Sequence, residues 1–261
     1  MPEGHTLHRL ARDHTKWFAG QNLKVHSPQG RFAAGAKRLS GRKLVAAEAY
    51  GKHLIYVFDD RLLHVHLGLY GKFRLHRNPP PAPRGAVRVR MVGDERSFDL
   101  NGPNHCELLS RAELVQLQAR LGPDPLRPDA NPERAWDKIR RSRAAIGTLL
   151  LNQSVIAGIG NIFRAEVLYL LGIHPDRIGQ RIASEEFQRI WELTVKLMRT
   201  GVQYNRIITV EREPGGKPLS KLNARERLNI YKRPTCPGCG GDVRCWELGN
   251  RTVYACDHCQ V

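Results

Sequence analysis

The chain has no run of about 18 apolar residues, so no membrane-spanning helix is expected. Its first residues, Met1-Pro2-Glu3-Gly4-His5, lack a basic stretch followed by an apolar one, so no secretory signal is expected. Internal repeats and low-complexity tracts are missing too, which argues against a solenoid or a disordered tail. The expected location is therefore the cytosol. Acidic residues are scarce: 25 Asp and Glu stand against 42 Lys and Arg, a net charge of +17. That imbalance disfavours acid-seeking roles and favours a polyanionic partner, nucleic acid foremost. A generic basic surface has the same composition, so charge alone leaves the function open.

Cysteine is also sparse, at six residues, but four of them form the pairs Cys236-x-x-Cys239 and Cys256-x-x-Cys259, sixteen residues apart. In a reducing compartment this spacing reads as metal ligation and not as disulfides. Each pair fits a tight knuckle, and four thiolates leave no open coordination position, so a structural Zn²⁺ is expected. Metal binding would supply folding free energy that so short a tail cannot draw from apolar burial. Cys245 is assigned to packing, and neither it nor His258 is needed as a ligand. Arg251-Thr-Val-Tyr254 alternates like a hairpin strand, with Trp246 packing on its partner.

What the chain does have is enough apolar content, 41% of 261 residues, for real cores. Leu7, Leu10, Ala11, His14, Trp17 and Phe18 recur at helical spacing, and Gly20 follows as a stop. The period then shifts to two in Leu23 and Val25, in Leu63, Val65 and Leu67, and in Val87, Val89 and Met91, with a continuous apolar run at 54–58. Turn chemistry at 27–30, 59–60 and 78–83 separates them. A β-sandwich or barrel preceded by one helix is the expected result. His64 and His66 share a strand face and have the spacing of a metal pair, but packing or surface roles are expected of them.

A helix over 110–121 ends at Gly122, and the prolines at 123, 125 and 128 mark a linker. Helical patterns follow from Asn131-Pro132, over 144–152, over 162–171 closed by Gly172, and over 184–200 closed by Gly201. The stretch 206–221 is polar and reads as a mobile loop. Between two of the helices lies Gly158-Ile-Gly160-Asn161. Turn glycines let a backbone approach a phosphate, and the helix start behind them offers free N–H groups. Asn161 is placed to cap that helix or to donate to a phosphate oxygen. An ordinary helical hairpin has the same pattern, but Lys138, Arg140, Arg141 and Arg143 just upstream favour a DNA backbone.

Three separated signals, the Met1-Pro-Glu-Gly start, the Gly-x-Gly-Asn turn and the Cys₄ tail, together resemble the bacterial formamidopyrimidine-DNA glycosylase / endonuclease VIII family. Leu121-Gly-Pro-Asp-Pro-Leu and Gly172-Ile-His-Pro175 add to the likeness, which covers essentially the whole chain. Pro-Glu-Gly-His-Thr-Leu-His-Arg-Leu-Ala and Ser27-Pro-Gln-Gly-Arg-Phe32 most resemble the actinobacterial endonuclease VIII branch.

The resemblance implies an α+β multidomain fold. Its parts are an N-terminal helix plus antiparallel β-sandwich over 1–122, a linker at 123–130, a helix–two-turns–helix domain over 131–225 and a Cys₄ zinc finger hairpin over 226–261. It implies base-excision repair, with glycosylase and β,δ-eliminating abasic-site lyase activity on oxidised pyrimidines. The alternatives are an oxidised-purine glycosylase or a catalytically silent DNA-binding protein of the same fold.

By position, Pro2 would be the nucleophile once Met1 is removed, Glu3 its acid/base partner and Lys52 the supporting sandwich lysine. Gly160 and Asn161 would grip phosphate, Arg251 the backbone at the finger tip, and Leu69 and Tyr70 would fill the gap left by a flipped nucleotide. Damaged DNA, duplex or single-stranded, is the expected partner of a monomer in the bacterial nucleoid, without a membrane or a small-molecule cofactor. Two departures stand out. His5-Thr6 replaces the Pro-Glu found after this start in many members, so a second carboxylate is missing. The 206–221 stretch also lacks a purine-reading pattern.

Overall fold

The structure, a computed structural model, describes residues 2–212 and 215–261. It divides into two compact units, 1–120 and 121–261. Among the described residues, no helix is long and apolar enough to cross a membrane.

The first unit opens with α1 (Gly4–Phe18), whose buried stripe of Leu7, Ala11, His14 and Phe18 follows the spacing in the sequence. Then come β1 (Lys24–His26), a short α2 (Ala33–Leu39), β2 (Leu44–Tyr50), β3 (His53–Phe58), β4 (Leu62–His66), β5 (Lys72–Arg77), β6 (Val87–Val92), β7 (Arg96–Asn101), β8 (His105–Leu109) and α3 (Arg111–Ala119). Two four-stranded antiparallel sheets form, in the orders β1-β6-β7-β5 and β2-β3-β4-β8. Val25, Met91 and Phe98 from one sheet and Leu54, Tyr56 and Val65 from the other share a single core with α1. This is the sandwich that the alternation predicts.

Four strands and one helix are not visible in the pattern. Asp99 on β7 breaks it because its charge is buried, where it accepts bidentate bonds from Arg90 at 2.6 and 2.8 Å. The helix α2 is too short to display a period, and it is fixed by burying Ala36 and Leu39. In the core, His14 is packed face to face on Phe98 with ring centroids 4.7 Å apart, and its Nδ1 lies 2.6 Å from the Tyr56 hydroxyl. Burial drives its pKa down to about 3.

The second unit holds α4 (Glu133–Ile139), α5 (Ile146–Leu151), α6 (Asn161–Leu170), α7 (Ser184–Tyr204) and the hairpin β9 (Arg244–Glu247) and β10 (Thr252–Ala255). The cap residue of α4 is Pro132 and not the expected Asn131, whose Oδ1 nonetheless accepts from the Glu133 amide at 3.0 Å. Gly201 does not end the last helix. It is buried within α7, which runs to Tyr204 and stops at Asn205 in the left-handed region, φ 56°. The mobile-loop reading of 206–221 is also corrected in part: Ile207, Ile208 and Thr209 are buried, and the Thr209 amide donates to Arg227 O at 2.9 Å. Residues 213 and 214 of that stretch lie outside the described residues.

Candidate DNA-repair site

In the first unit, Pro2 is half-buried and Glu3 fully buried at the head of α1. Glu3 has extended backbone (φ −115°, ψ 176°), and its side chain makes no capping bond to its own helix. A carboxylate is rarely withdrawn from water without a use for its charge, so the bland reading of a solvated first-turn residue does not hold. His5 occupies a buried position and Thr6 Oγ1 approaches its Nε2 at 3.2 Å.

Lys52 lies in the two-residue turn joining β2 to β3, where Tyr50 pairs with His53. Gly51 takes φ 56° there, the sign a tight hairpin demands and glycine meets without strain. Burial above all, then His105 and His64, and last the Lys52 charge hold the His66 ring on β4 neutral.

Leu69 and Tyr70 stand on the turn after β4, 51% and 85% exposed. Ordinary strand packing, the other reading of these residues, is thereby excluded. The turn is tight: the Gly71 amide donates to Leu67 O at 2.9 Å, and a Cβ on Gly71 would fall 2.3 Å from that oxygen.

In the second unit, Gln153 acts as a splint for the glycine turn. Its Oε1 accepts from the Gly158 amide at 3.0 Å, and its Nε2 donates to Leu151 O and Ile159 O at 2.8 and 3.0 Å. The helix cap is Gly160, not Asn161, which is the first residue of α6. Asn161 instead faces the finger, donating from Nδ2 to Thr252 O at 3.0 Å.

Arg164, fully buried one turn on, donates to the same carbonyl at 3.0 Å, to Asn161 Oδ1, and to Gly147 O at 3.3 Å. The glycine turn and the finger tip are therefore tied together next to Arg251. Arg251 itself is exposed and flanks a two-residue turn, Gly249-Asn250, with φ 60° at both positions. Leu248 and Arg251 exchange backbone bonds of 3.0 and 3.3 Å across it.

The four cysteine sulfurs converge within 4.8 Å of one another, with Cys239–Cys256 at 3.5 Å and Cys236–Cys259 at 3.8 Å. Sulfurs about 2.3 Å from a tetrahedral ion lie about 3.8 Å apart, so the set fits one metal with no open position. Burial pushes the Cys236 thiol up, but bonds from the Tyr169 hydroxyl and the Cys239 and Gly238 amides outweigh it and bring the pKa to about 6. Cys245 and His258 are exposed and outside the set, so Cys245 is not a packing residue. Trp246 stands opposite Val253 on the partner strand of the hairpin. It stacks on His174 at 5.5 Å with a 9° interplanar angle, and donates from Nε1 to Asp176 at 3.1 Å.

Three residues escape the sequence reading: Arg164, Tyr169 and Glu166. Glu166, fully buried in α6, accepts from the Ile230 and Tyr231 amides at 2.9 and 2.8 Å and from the Asn229 amide at 2.7 Å. The Asn229 side chain at 3.2 Å and the Thr209 hydroxyl complete the set. It clamps the root of the finger to the helix. A lone acid inside an apolar helix was its only visible signal.

The two units match, in turn, the formamidopyrimidine-DNA glycosylase N-terminal domain at residues 1–104 and the H2TH domain of the same family at 121–212. The chain belongs to the formamidopyrimidine-DNA glycosylase / endonuclease VIII family and is a DNA glycosylase of base-excision repair. It is 48% identical over 268 aligned residues to Endonuclease 8 1 of Mycobacterium tuberculosis, covering 100% of both chains. The formamidopyrimidine-DNA glycosylase of Thermomicrobium roseum is 30% identical over 86% of this chain and 84% of its own. The Lactococcus lactis Fpg protein, solved with N7-benzyl-Fapy-dG DNA, shares the fold at TM-score 0.83, 23% identity and 99% coverage of each chain.

Proposed function

We propose that the chain is a bifunctional glycosylase and abasic-site lyase for oxidised pyrimidines, with Pro2 as nucleophile. The full-length likeness to an endonuclease VIII, closer than that to the formamidopyrimidine enzymes, carries the reading. Once Met1 is removed, Pro2 is a secondary amine with a reference pKa of roughly 8, so a useful fraction is neutral near pH 7. Its nitrogen forms a bond to C1′ as the bond from C1′ to the damaged base breaks. The nitrogen then loses its proton, and cleavage of the C1′–O4′ bond, with the ring oxygen protonated as it leaves, gives an iminium that has no N–H to lose; it acidifies the C2′ hydrogen, whose loss expels the 3′ phosphate, and a second proton loss, from C4′, expels the 5′ phosphate.

Glu3 protonates the sugar ring oxygen and shuttles protons, a role supported by its burial beside Pro2. Lys52 offsets phosphate charge. Gly160 and Asn161 bind the DNA backbone through amide N–H groups at the start of α6, and Arg251 through its exposed guanidinium. Leu69 and Tyr70 occupy the space left by the extruded nucleotide, a reading their exposure supports. Zn²⁺ held by Cys236, Cys239, Cys256 and Cys259 would have a structural role, stabilising the fold of the hairpin that carries Arg251.

Borohydride trapping on abasic duplex DNA tests the proposal. Met1-processed protein should form a covalent adduct, and Pro2→Gly should retain DNA binding while being trapped more weakly. A Pro2→Gly protein that cleaves abasic DNA like the parent refutes the nucleophile. Parallel oligonucleotides with oxidised pyrimidines or 8-oxoguanine decide the lesion class.

A further inference from the structure

The β5 edge of the β1-β6-β7-β5 sheet carries a basic basin that the repair chemistry above does not use. Lys72 and Arg74 on β5 stand opposite Asn101 and Asp99 of β7. Both β5 and β6 run antiparallel to β7 and flank it, so the chain between them, 78–86, has to pass across that strand. Hydrogen bonds pin the crossover in place. The Asn78 side chain donates to Gly93 O at 2.6 Å, the Asn101 side chain to Arg84 O at 3.1 Å, and the Gly102 amide to Ala86 O at 3.3 Å. Arg84 is thereby held beside β5, where Arg74 Nη1 reaches its carbonyl at 3.4 Å. The three basic residues, with Tyr70 and the 85–86 and 101–102 segments, line a cavity of about 540 Å³, a ligand-sized space.

Charge in this basin is unbalanced. Lys72, Arg74 and Arg84 are all exposed, and among the described residues no acid lines the cavity. Asp99, the acid opposite Arg74, is buried and already accepts from Arg90 at 2.6 and 2.8 Å, with His76 at 3.1 Å. A lysine on an edge strand commonly serves to block pairing with another sheet. That role accounts for Lys72 alone. It does not account for a third cation brought in by the crossover, nor for a concave wall shared with Tyr70. Cations gathered in a concavity attract a polyanion.

The position of the wedge turn says which polyanion. Tyr70 lies between β4 and β5 in the chain. On the β4 side stand His66 and Lys52, the lysine that offsets phosphate charge on the lesion strand in the proposed mechanism. The β5 side holds the three cations. A wedge that fills the space of an extruded nucleotide has the lesion strand on one side and the complementary strand beyond the other. We propose that Lys72, Arg74 and Arg84 hold phosphates of the complementary strand and so make the protein favour duplex over single-stranded DNA. The inference rests on the wedge role proposed for Leu69 and Tyr70.

The test is fluorescence anisotropy with a duplex carrying a tetrahydrofuran abasic analogue and with its lesion strand alone, each titrated over about 50–200 mM salt. Every phosphate contact on duplex DNA contributes about 0.9 to the slope of log affinity against log salt. Lys72→Ala, Arg74→Ala and Arg84→Ala should each lower the duplex slope by about 0.9, and the triple variant by about 2.7, with the single-strand slope unchanged. The ratio of duplex to single-strand affinity should fall with them. Because the three side chains are exposed, the variants keep the fold, and borohydride trapping on single-stranded abasic DNA should match the parent. A duplex slope that stays at the parental value, or an equal loss on duplex and single strand, overturns the proposal even where trapping succeeds. A parent that is not trapped at all refutes the Pro2 nucleophile instead, and the slopes still decide the basin.

Discussion

Glu166→Gln is the most informative single substitution in the second unit. Each carboxylate oxygen has its own set of donors: the Ile230 and Tyr231 amides on Oε1, and the Asn229 amide, the Asn229 side chain and the Thr209 hydroxyl on Oε2. A glutamine keeps one acceptor and brings an NH₂ to the other side. Turned either way, that NH₂ meets at least two donors already in place. Each buried donor left without an acceptor costs about 1–3 kcal/mol, so two of them cost about 2–6 kcal/mol together. For a domain of this size roughly 2–4 °C of melting temperature is lost per kcal/mol, so the midpoint should fall by about 10 °C. Calorimetry of the zinc-loaded protein, with metal content measured alongside, is the assay. A shift below about 2 °C with full zinc retention would mean that the finger root is held by something else.

Further outcomes follow from the same geometry. Arg164→Lys keeps the charge but not the fork that reaches Asn161, Thr252 and Gly147. Loss of one charged hydrogen bond, about 1.5–3 kcal/mol, should weaken abasic-DNA binding about 10- to 100-fold, and unchanged affinity refutes its coupling to the finger tip. His14 is held neutral by burial, with its pKa lowered from 6.5 to about 3. Its contribution to stability is thus full above pH 6.5 and is lost as pH falls from there towards 3, at about 1.4 kcal/mol per pH unit. His14→Gln should flatten the acid side of the stability profile, and an unaltered slope contradicts the assignment. Cys239→Ser should lower metal content and DNA affinity together, since a structural zinc site contributes about 10–16 kcal/mol in finger peptides. DNA binding that survives metal loss would detach the finger from recognition.

Features that depend on near neighbours were legible in the sequence. The α1 stripe, the Gly-x-Gly turn and the cysteine pairs each state their chemistry within a few residues, as spacing, permitted φ or ligand type. The charged interior was not. Arg164 and Thr252 are 88 residues apart and Glu166 and Tyr231 are 65 apart, so no local window contains both the charge and its partner. Asp99 was hidden for the same reason, since a charge on a strand reads as solvent-facing until its arginine is seen beside it. Gly201 misled because glycine commonly ends helices, whereas here it lies buried inside α7, which runs on to Tyr204.

The sequence by itself determined the family, the four cysteines able to hold a metal and the candidate nucleophile, because these rest on residue identity and short spacing. Tertiary structure alone decided that Asn161 faces the finger, that Leu69 and Tyr70 are exposed, and that four histidines share one sheet face. Burial and hydrogen-bond partnership are properties of chain segments brought together from far apart, and a linear pattern carries no record of that meeting.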